Sequence, residues 1–200
     1  MSRSTDPQAR QAMRERFLQA AAQEFAQAGY EAANINVISE QAGAGKGTIY
    51  LYFPSKRDLF LALLQSIAER QLAVVRAALE ERQTLTEQLE ALYLAFVRLA
   101  IEDAEGFQVY MSTLYGVNRA FQQEATGLLH EYVSLLSAVL SQAVPGHQPE
   151  PSWVKTRALW LFSATESLVL TARVLGYSEH HLVALASTIA ALLLRGIEGE

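Results

Sequence analysis

The chain has no cysteine, only two tryptophans, and five prolines in 200 residues. Without thiols it can form neither disulfides nor thiolate sites, so a reducing cytoplasm is the expected compartment. No run reaches the roughly 18 apolar residues of a membrane span. The longest, Leu182 to Leu194, is shorter and is interrupted by Ser187 and Thr188. The opening stretch Met1 to Arg16 is polar and charged, unlike a secretory signal. Catalytic and metal signatures are missing as well. His130, His147, His180 and His181 lack the i, i+4 pairing with carboxylates of a zinc helix, and no nucleophile elbow occurs. The glycines of 43–47 do not make a phosphate loop, because Glu40 stands where the first glycine belongs and Gly47 where Ser or Thr belongs. Neither a membrane, a metal, a cofactor nor catalysis is therefore expected.

Positive charge is also scarce overall, with a net charge of −5. Its distribution matters more than its sum. Residues 1–60 hold seven Lys and Arg against six Asp and Glu, whereas 61–200 hold nine against fifteen. The acidic excess lies wholly in the second part, so a locally basic face in the first can still meet nucleic acid. Half the residues are apolar, which suits a large core and leaves apolar surface to cover in an oligomer or around a ligand.

Helix signals dominate, and no alternating strand pattern stands out. Asp6 followed by Pro7 starts a first helix, Phe17, Ala21 and Phe25 form its buried stripe, and Gly29 ends it. Asn34 caps a second helix with Ile35, Ile38 and Ala42 inward. Gly43-Ala44-Gly45 is a tight turn, and a short third helix spans Lys46 to Tyr52, stopping before Pro54. Ser55 and Asp58 form a capping box for a fourth. Longer amphipathic segments follow at 86–101, 105–114, 118–143, 152–175 and 178–197, giving an all-α chain of about nine helices. A division into a DNA-binding part at 1–60 and a helical part at 61–200 is expected.

Short helix, glycine turn, short helix is the helix-turn-helix pattern. On an α-helical wheel Ile49 and Phe53 face inward, while Gly47, Thr48, Leu51 and Tyr52 face out and Lys46 and Tyr50 lie on the flanks. An outer face of Thr, Leu and Tyr is unusual in water but suits a major groove, where hydroxyls bond base edges and apolar groups meet thymine methyls. Lys46 and Lys56 each follow a cap, where a cation opposes the helix dipole; an external phosphate would offset that cost. Arg16-Phe17-Leu18-Gln19-Ala20-Ala21, Glu24-Phe25, Gly29-Tyr30 and the run from Gln41 to Leu59 resemble the N-terminal DNA-binding domain of the TetR family of regulators. The resemblance covers about residues 10–60. It implies that 46–52 reads DNA, that Tyr50, Tyr52 and Lys56 hold phosphates, and that the remainder is an all-helical ligand-binding and dimerisation domain. Asn34 and Gly45 depart from the Thr and the Ser or Thr often found there, and Ser39 replaces a usual Ala. The expected DNA contacts are Asn34, Lys46, Gly47, Thr48, Tyr50, Leu51, Tyr52 and Lys56.

The second part carries an aromatic-rich set on successive helices. Tyr93, Phe96, Phe107, Tyr110, Met111, Leu114 and Tyr115, with Glu166, are the candidate lining of a cavity for a small hydrophobic or amphipathic ligand. Arg98 and Arg119 would favour an anionic head such as the phosphates of an acyl thioester, and Glu166 a lipophilic cation. The last two helices are apolar on two sides, with one row at Leu182, Leu185, Ile189 and Leu193 and another at Val183, Ala186, Ala190, Leu194 and Ile197. Such helices must be covered on both faces, so a homodimer through 152–197 is expected. The composite expectation is a cytoplasmic transcriptional repressor released from double-stranded operator DNA by a small ligand. A helical carrier or enzyme with a vestigial DNA-binding domain, and a constitutive binder or activator without inducer, remain open alternatives.

Overall fold

A computed structural model describes residues 6–80, 82–116, 119–143 and 151–198. These are helical throughout, with no strand among the described residues. The helices are α1 (Pro7–Ala32), α2 (Ile35–Gln41), a 3₁₀ helix (Thr48–Leu51), α3 (Lys56–Glu80), α4 (Leu85–Glu102), α5 (Ala104–Tyr115), α6 (Gln122–Ala143), α7 (Pro151–Val174), α8 (Glu179–Ala184) and α9 (Ala186–Glu198). The loop expected between 143 and 152 falls mostly outside the described residues.

Contacts divide the chain into two compact units, each discontinuous in sequence. One comprises Met1–Ala68 with Glu105–Ala125, the other Glu69–Ala104 with Thr126–Glu200. Long helices α3 and α6 therefore each contribute to both.

In the first unit the caps read from sequence do their work. Asp6 accepts from the Gln8 N–H, Asn34 from the Asn36 N–H, and Gly29 breaks helical geometry inside α1 at φ 72°. Ser55 Oγ caps α3 by accepting from the Asp58 N–H at 3.1 Å and donates to the Asp58 carboxylate at 2.7 Å, a hydroxyl bond in place of the backbone bond of a full capping box. Phe17, Ala21 and Phe25 of α1 are buried with Ile38 of α2, Ile49 of the 3₁₀ helix and Leu59 of α3, so the stripes predicted from periodicity form this core. Ser39 is fully buried and its hydroxyl has no hydrogen-bond partner. An alanine would fill that space without the desolvation cost of the hydroxyl.

In the second unit α4 is the central element, packed against α7, α8 and α9. A Thr84–Glu87 capping box starts it. Hydrogen bonds from the Thr84 N–H, its hydroxyl and the Gln83 N–H hold the Glu87 carboxyl below the usual carboxylate range. Leu89, Leu92, Tyr93, Phe96 and Leu99 recur at helical spacing and are buried. Arg98 turns outward from this stripe, exposed and paired with Glu102 at 2.7 Å. It is a surface ion pair one turn apart, not a buried charge awaiting an anionic head. The final helical segment is broken in two at Leu185, which separates α8 from α9.

Candidate nucleic-acid interface

The turn after α2 is built by one glycine. Gly43 sits at φ 70°, its N–H bonds the Glu40 carbonyl, and the next N–H, of Ala44, bonds the Ser39 carbonyl, each at 2.9 Å. That pairing is the Schellman arrangement, and it needs a left-handed residue after the helix. The guanidinium of Arg16 lies where a Cβ at Gly43 would project. The turn thus positions a basic side chain of α1 beside the recognition segment.

That segment is a 3₁₀ helix of four residues rather than the α-helix read from 46–52. Lys46 and Gly47 lie in the preceding turn, so Lys46 does not occupy a helix N-terminus. In a 3₁₀ helix residues three apart eclipse. Thr48 and Leu51 therefore share one edge, and Ile49 points inward, 1% exposed. Leu51 is 74% exposed and Tyr50 51%. A protruding leucine beside a tyrosine hydroxyl is costly in water and is the expected signature of a surface that meets base edges and phosphates.

Three of the expected contacts have other partners. Tyr52 is half-buried, its ring 5.3 Å from Phe17, with the Arg10 guanidinium over it at 5.8 Å. Lys56 donates from Nζ to the carbonyls of Glu31 at 2.9 Å and Ala33 at 2.8 Å, and lies 5.1 Å from the Tyr30 ring. The anion that offsets its position at the start of α3 is thus the negative, carbonyl end of α1, with no external phosphate required. Asn34 is engaged as a cap, and its N–H donates to Glu24 at 2.9 Å.

Sequence reading missed the basic row of α1. Arg10 and Arg14, one turn apart, lie over Tyr52 and Phe53, and Arg16 lies against Gly43. Their spacing was visible; their proximity to the turn was not. With Lys46 in the turn they supply the cations that phosphate contacts near a base-reading segment require.

For Lys56→Ala the expected loss is mainly of stability, about 1–3 kcal/mol, because two carbonyls lose a charged donor. The salt dependence of DNA affinity should remain nearly unchanged. Thermal unfolding and an affinity-against-salt titration read the two effects separately. A salt slope reduced by about one per site with unaltered stability would restore the phosphate role.

The candidate ligand lining falls in two places. Tyr93, Phe96 and Glu166 are buried in the second unit, whereas Phe107, Tyr110, Met111, Leu114 and Tyr115 belong to α5 in the first. Phe107, Tyr110 and Leu114 are core residues there, and Tyr115 is 60% exposed. Burial pushes the phenols of Tyr93 and Tyr132 up.

A glycine-turned pair of short helices with an outward recognition segment, joined to a larger helical unit, defines a helix-turn-helix transcriptional regulator. Residues 17–63 match the family described as bacterial regulatory proteins, tetR family. Over these residues the chain is similar to the DNA-binding domain of the TetR family of transcriptional regulators. It is 26% identical over 185 residues to the fatty acid metabolism regulator protein of Bacillus subtilis (strain 168), spanning 92% of this chain and 95% of that one. The solved structure of the regulator FadR from Bacillus subtilis in complex with stearoyl-CoA superposes with a TM-score of 0.78 at 25% identity, over 91% of this chain and 98% of the other. The fatty acid degradation regulator FadR from Bacillus halodurans shares the fold with a TM-score of 0.75 at 24% identity, over 91% and 98%.

Proposed function

We propose that this regulator is a homodimeric repressor that leaves its operator when a mainly apolar ligand, an acyl thioester being the first class to test, binds its helical second unit. It works by binding, not by turnover. The observation that carries the DNA half is the outward Tyr50 and Leu51 on the segment that follows the Gly43 turn, with Arg16 against that turn. Support for the ligand half is similarity along nearly the whole length to a relative whose structure contains stearoyl-CoA. Phe96 and Phe162 supply apolar walls within the second unit, where desolvation contributes about 25 cal/mol per Å².

Dimerisation through 152–197 rests on an outward apolar face. Leu159, Trp160 and Leu168 of α7 and Leu192 of α9 are exposed. Trp160 packs so closely on Gly196 that a Cβ there would collide with the ring, which makes α7 and α9 one surface at this point. Ile189 and Leu193, from one of the two apolar rows of this segment, are 6% and 3% exposed and are covered within the chain itself.

Fluorescence anisotropy of an operator fragment tests the reading. Palmitoyl- or stearoyl-CoA should raise the operator Kd, with a coupling of about 1–3 kcal/mol, and DNA should weaken the thioester by the same factor. If a thioester binds tightly yet leaves DNA affinity unchanged, it does not distinguish the two states and is not the inducer.

A further inference from the structure

The second unit buries a polar group with one end left over. Gln71 of α3 is 1% exposed, yet its amide makes a single hydrogen bond, between Oε1 and the Tyr132 hydroxyl of α6 at 3.4 Å. Nε2 has no partner. Rotating the amide would only exchange which end is left over. Tyr132 is itself 1% exposed, and burial first, then the carboxyls of Glu166 and Asp103, keep its phenol protonated. Glu166 of α7, 2% exposed, lies one turn from Phe162 on the same helix face. The rings of Phe96, Tyr132 and Phe162 stand 5.1–5.7 Å apart and wall the cluster. Four helices thus bring three polar side chains together in an otherwise apolar core. Native interiors rarely leave such a donor unmatched.

We propose that Gln71, Tyr132 and Glu166 form the polar end of the ligand site and select an apolar guest that carries a hydroxyl group. The inference rests on the reading of this unit as ligand-binding and specifies the chemistry of the guest. None of Gln71, Tyr132 and Glu166 carries a positive charge to meet a buried carboxylate or phosphate. A cation could meet Glu166 but would leave the Gln71 donor unmatched. A hydroxyl accepts from an amide N–H and donates to a carboxylate at the same time. An acyl thioester with a hydroxyl on its chain satisfies this end and the apolar walls at once. A site built around a hydroxyl rejects the analogue lacking it, because the protein group is then buried unpaired.

Calorimetry with matched pairs tests this. A ladder of ω-hydroxyacyl-CoA thioesters and the unsubstituted thioesters of equal length, together with 4-alkylphenols and the corresponding alkylbenzenes, would be titrated into the full-length protein. At one chain length the hydroxylated member should bind wild type about ten- to a hundredfold more tightly. Gln71→Leu should abolish that preference while leaving the unsubstituted member unaffected, and Glu166→Gln should reduce it. Operator affinity and thermal unfolding confirm that each variant is folded. Gln71→Met provides a second probe if the leucine variant does not fold. Equal affinity of both members for wild type at every length, or a preference that survives Gln71 substitution, overturns the inference; the cluster then holds a buried water alone. If unsubstituted thioesters still release the operator in that case, the inducer reading stands without the hydroxyl. If no compound of either series binds a protein that still binds DNA, both fail.

Discussion

Leu192→Asp should convert a dimer into a monomer that remains folded. Leu192 is 56% exposed on α9, one turn before the glycine on which Trp160 packs, so a carboxylate there costs the isolated chain little. Across a two-fold interface the same charge is buried in both copies without a partner, at several kcal/mol. Each 1.4 kcal/mol is about tenfold in association, so the dimer should be lost at micromolar concentration. Operator affinity should fall with it by about a hundredfold or more, since two half-sites need two linked recognition segments. Ile189→Asp is the instructive control. Ile189 is buried within the chain's own helices, so its replacement should lower the melting temperature or prevent folding rather than dissociate the subunits. Light scattering with circular dichroism separates the outcomes. A Leu192→Asp protein that remains a dimer with normal operator affinity would move the interface elsewhere.

Gly43→Ala should damage DNA binding far more than its size suggests. At φ 70° an L-residue is strained by about 1–2 kcal/mol, and the added Cβ displaces the Arg16 guanidinium from the turn. Gly43→Asn divides these costs: asparagine tolerates the left-handed backbone but still displaces Arg16. Gly45→Ser should be nearly silent, because a Cβ there meets only the Thr48 hydroxyl at an ordinary 3.6 Å. The expected order of operator affinity is wild type and Gly45→Ser together, then Gly43→Asn, then Gly43→Ala. Normal affinity in Gly43→Ala would show that neither the turn nor Arg16 positions the recognition segment.

What the sequence made legible was local. Gly29, Asn34, Gly43 and the Ser55 cap each encode their structure within a few residues, and each is found as read. The recognition segment kept its inward Ile49 but changed its pitch, because Gly45 and Gly47 shorten the helix to one 3₁₀ turn and propensity over four residues cannot distinguish 3.0 from 3.6 residues per turn. The intrachain partners of Lys56 were hidden for a non-local reason: its acceptors lie 23 and 25 residues away, at the end of another helix. Periodicity could not decide α9, where two apolar rows compete; burial does, with Ile189, Ala190 and Leu193 turned inward. The aromatic set looked like one cavity because its members are close in sequence, yet α5 packs with the first unit and α4 with the second. The Gln71–Tyr132–Glu166 cluster was invisible beforehand, since its members are 61 and 34 residues apart.

The central claim is that the Thr48–Tyr50–Leu51 edge, presented twice by a dimer, reads a specific DNA sequence. Selection of bound duplexes from a random-sequence pool by the full-length protein tests it most directly. The expected product is one enriched two-fold-symmetric motif with half-sites about one helical turn or more apart, whose preferred bases change with Thr48→Ala or Leu51→Ala and not with Lys56→Ala. A pool that emerges without an enriched motif, or a motif that the Thr48 and Leu51 variants share with wild type, would contradict it.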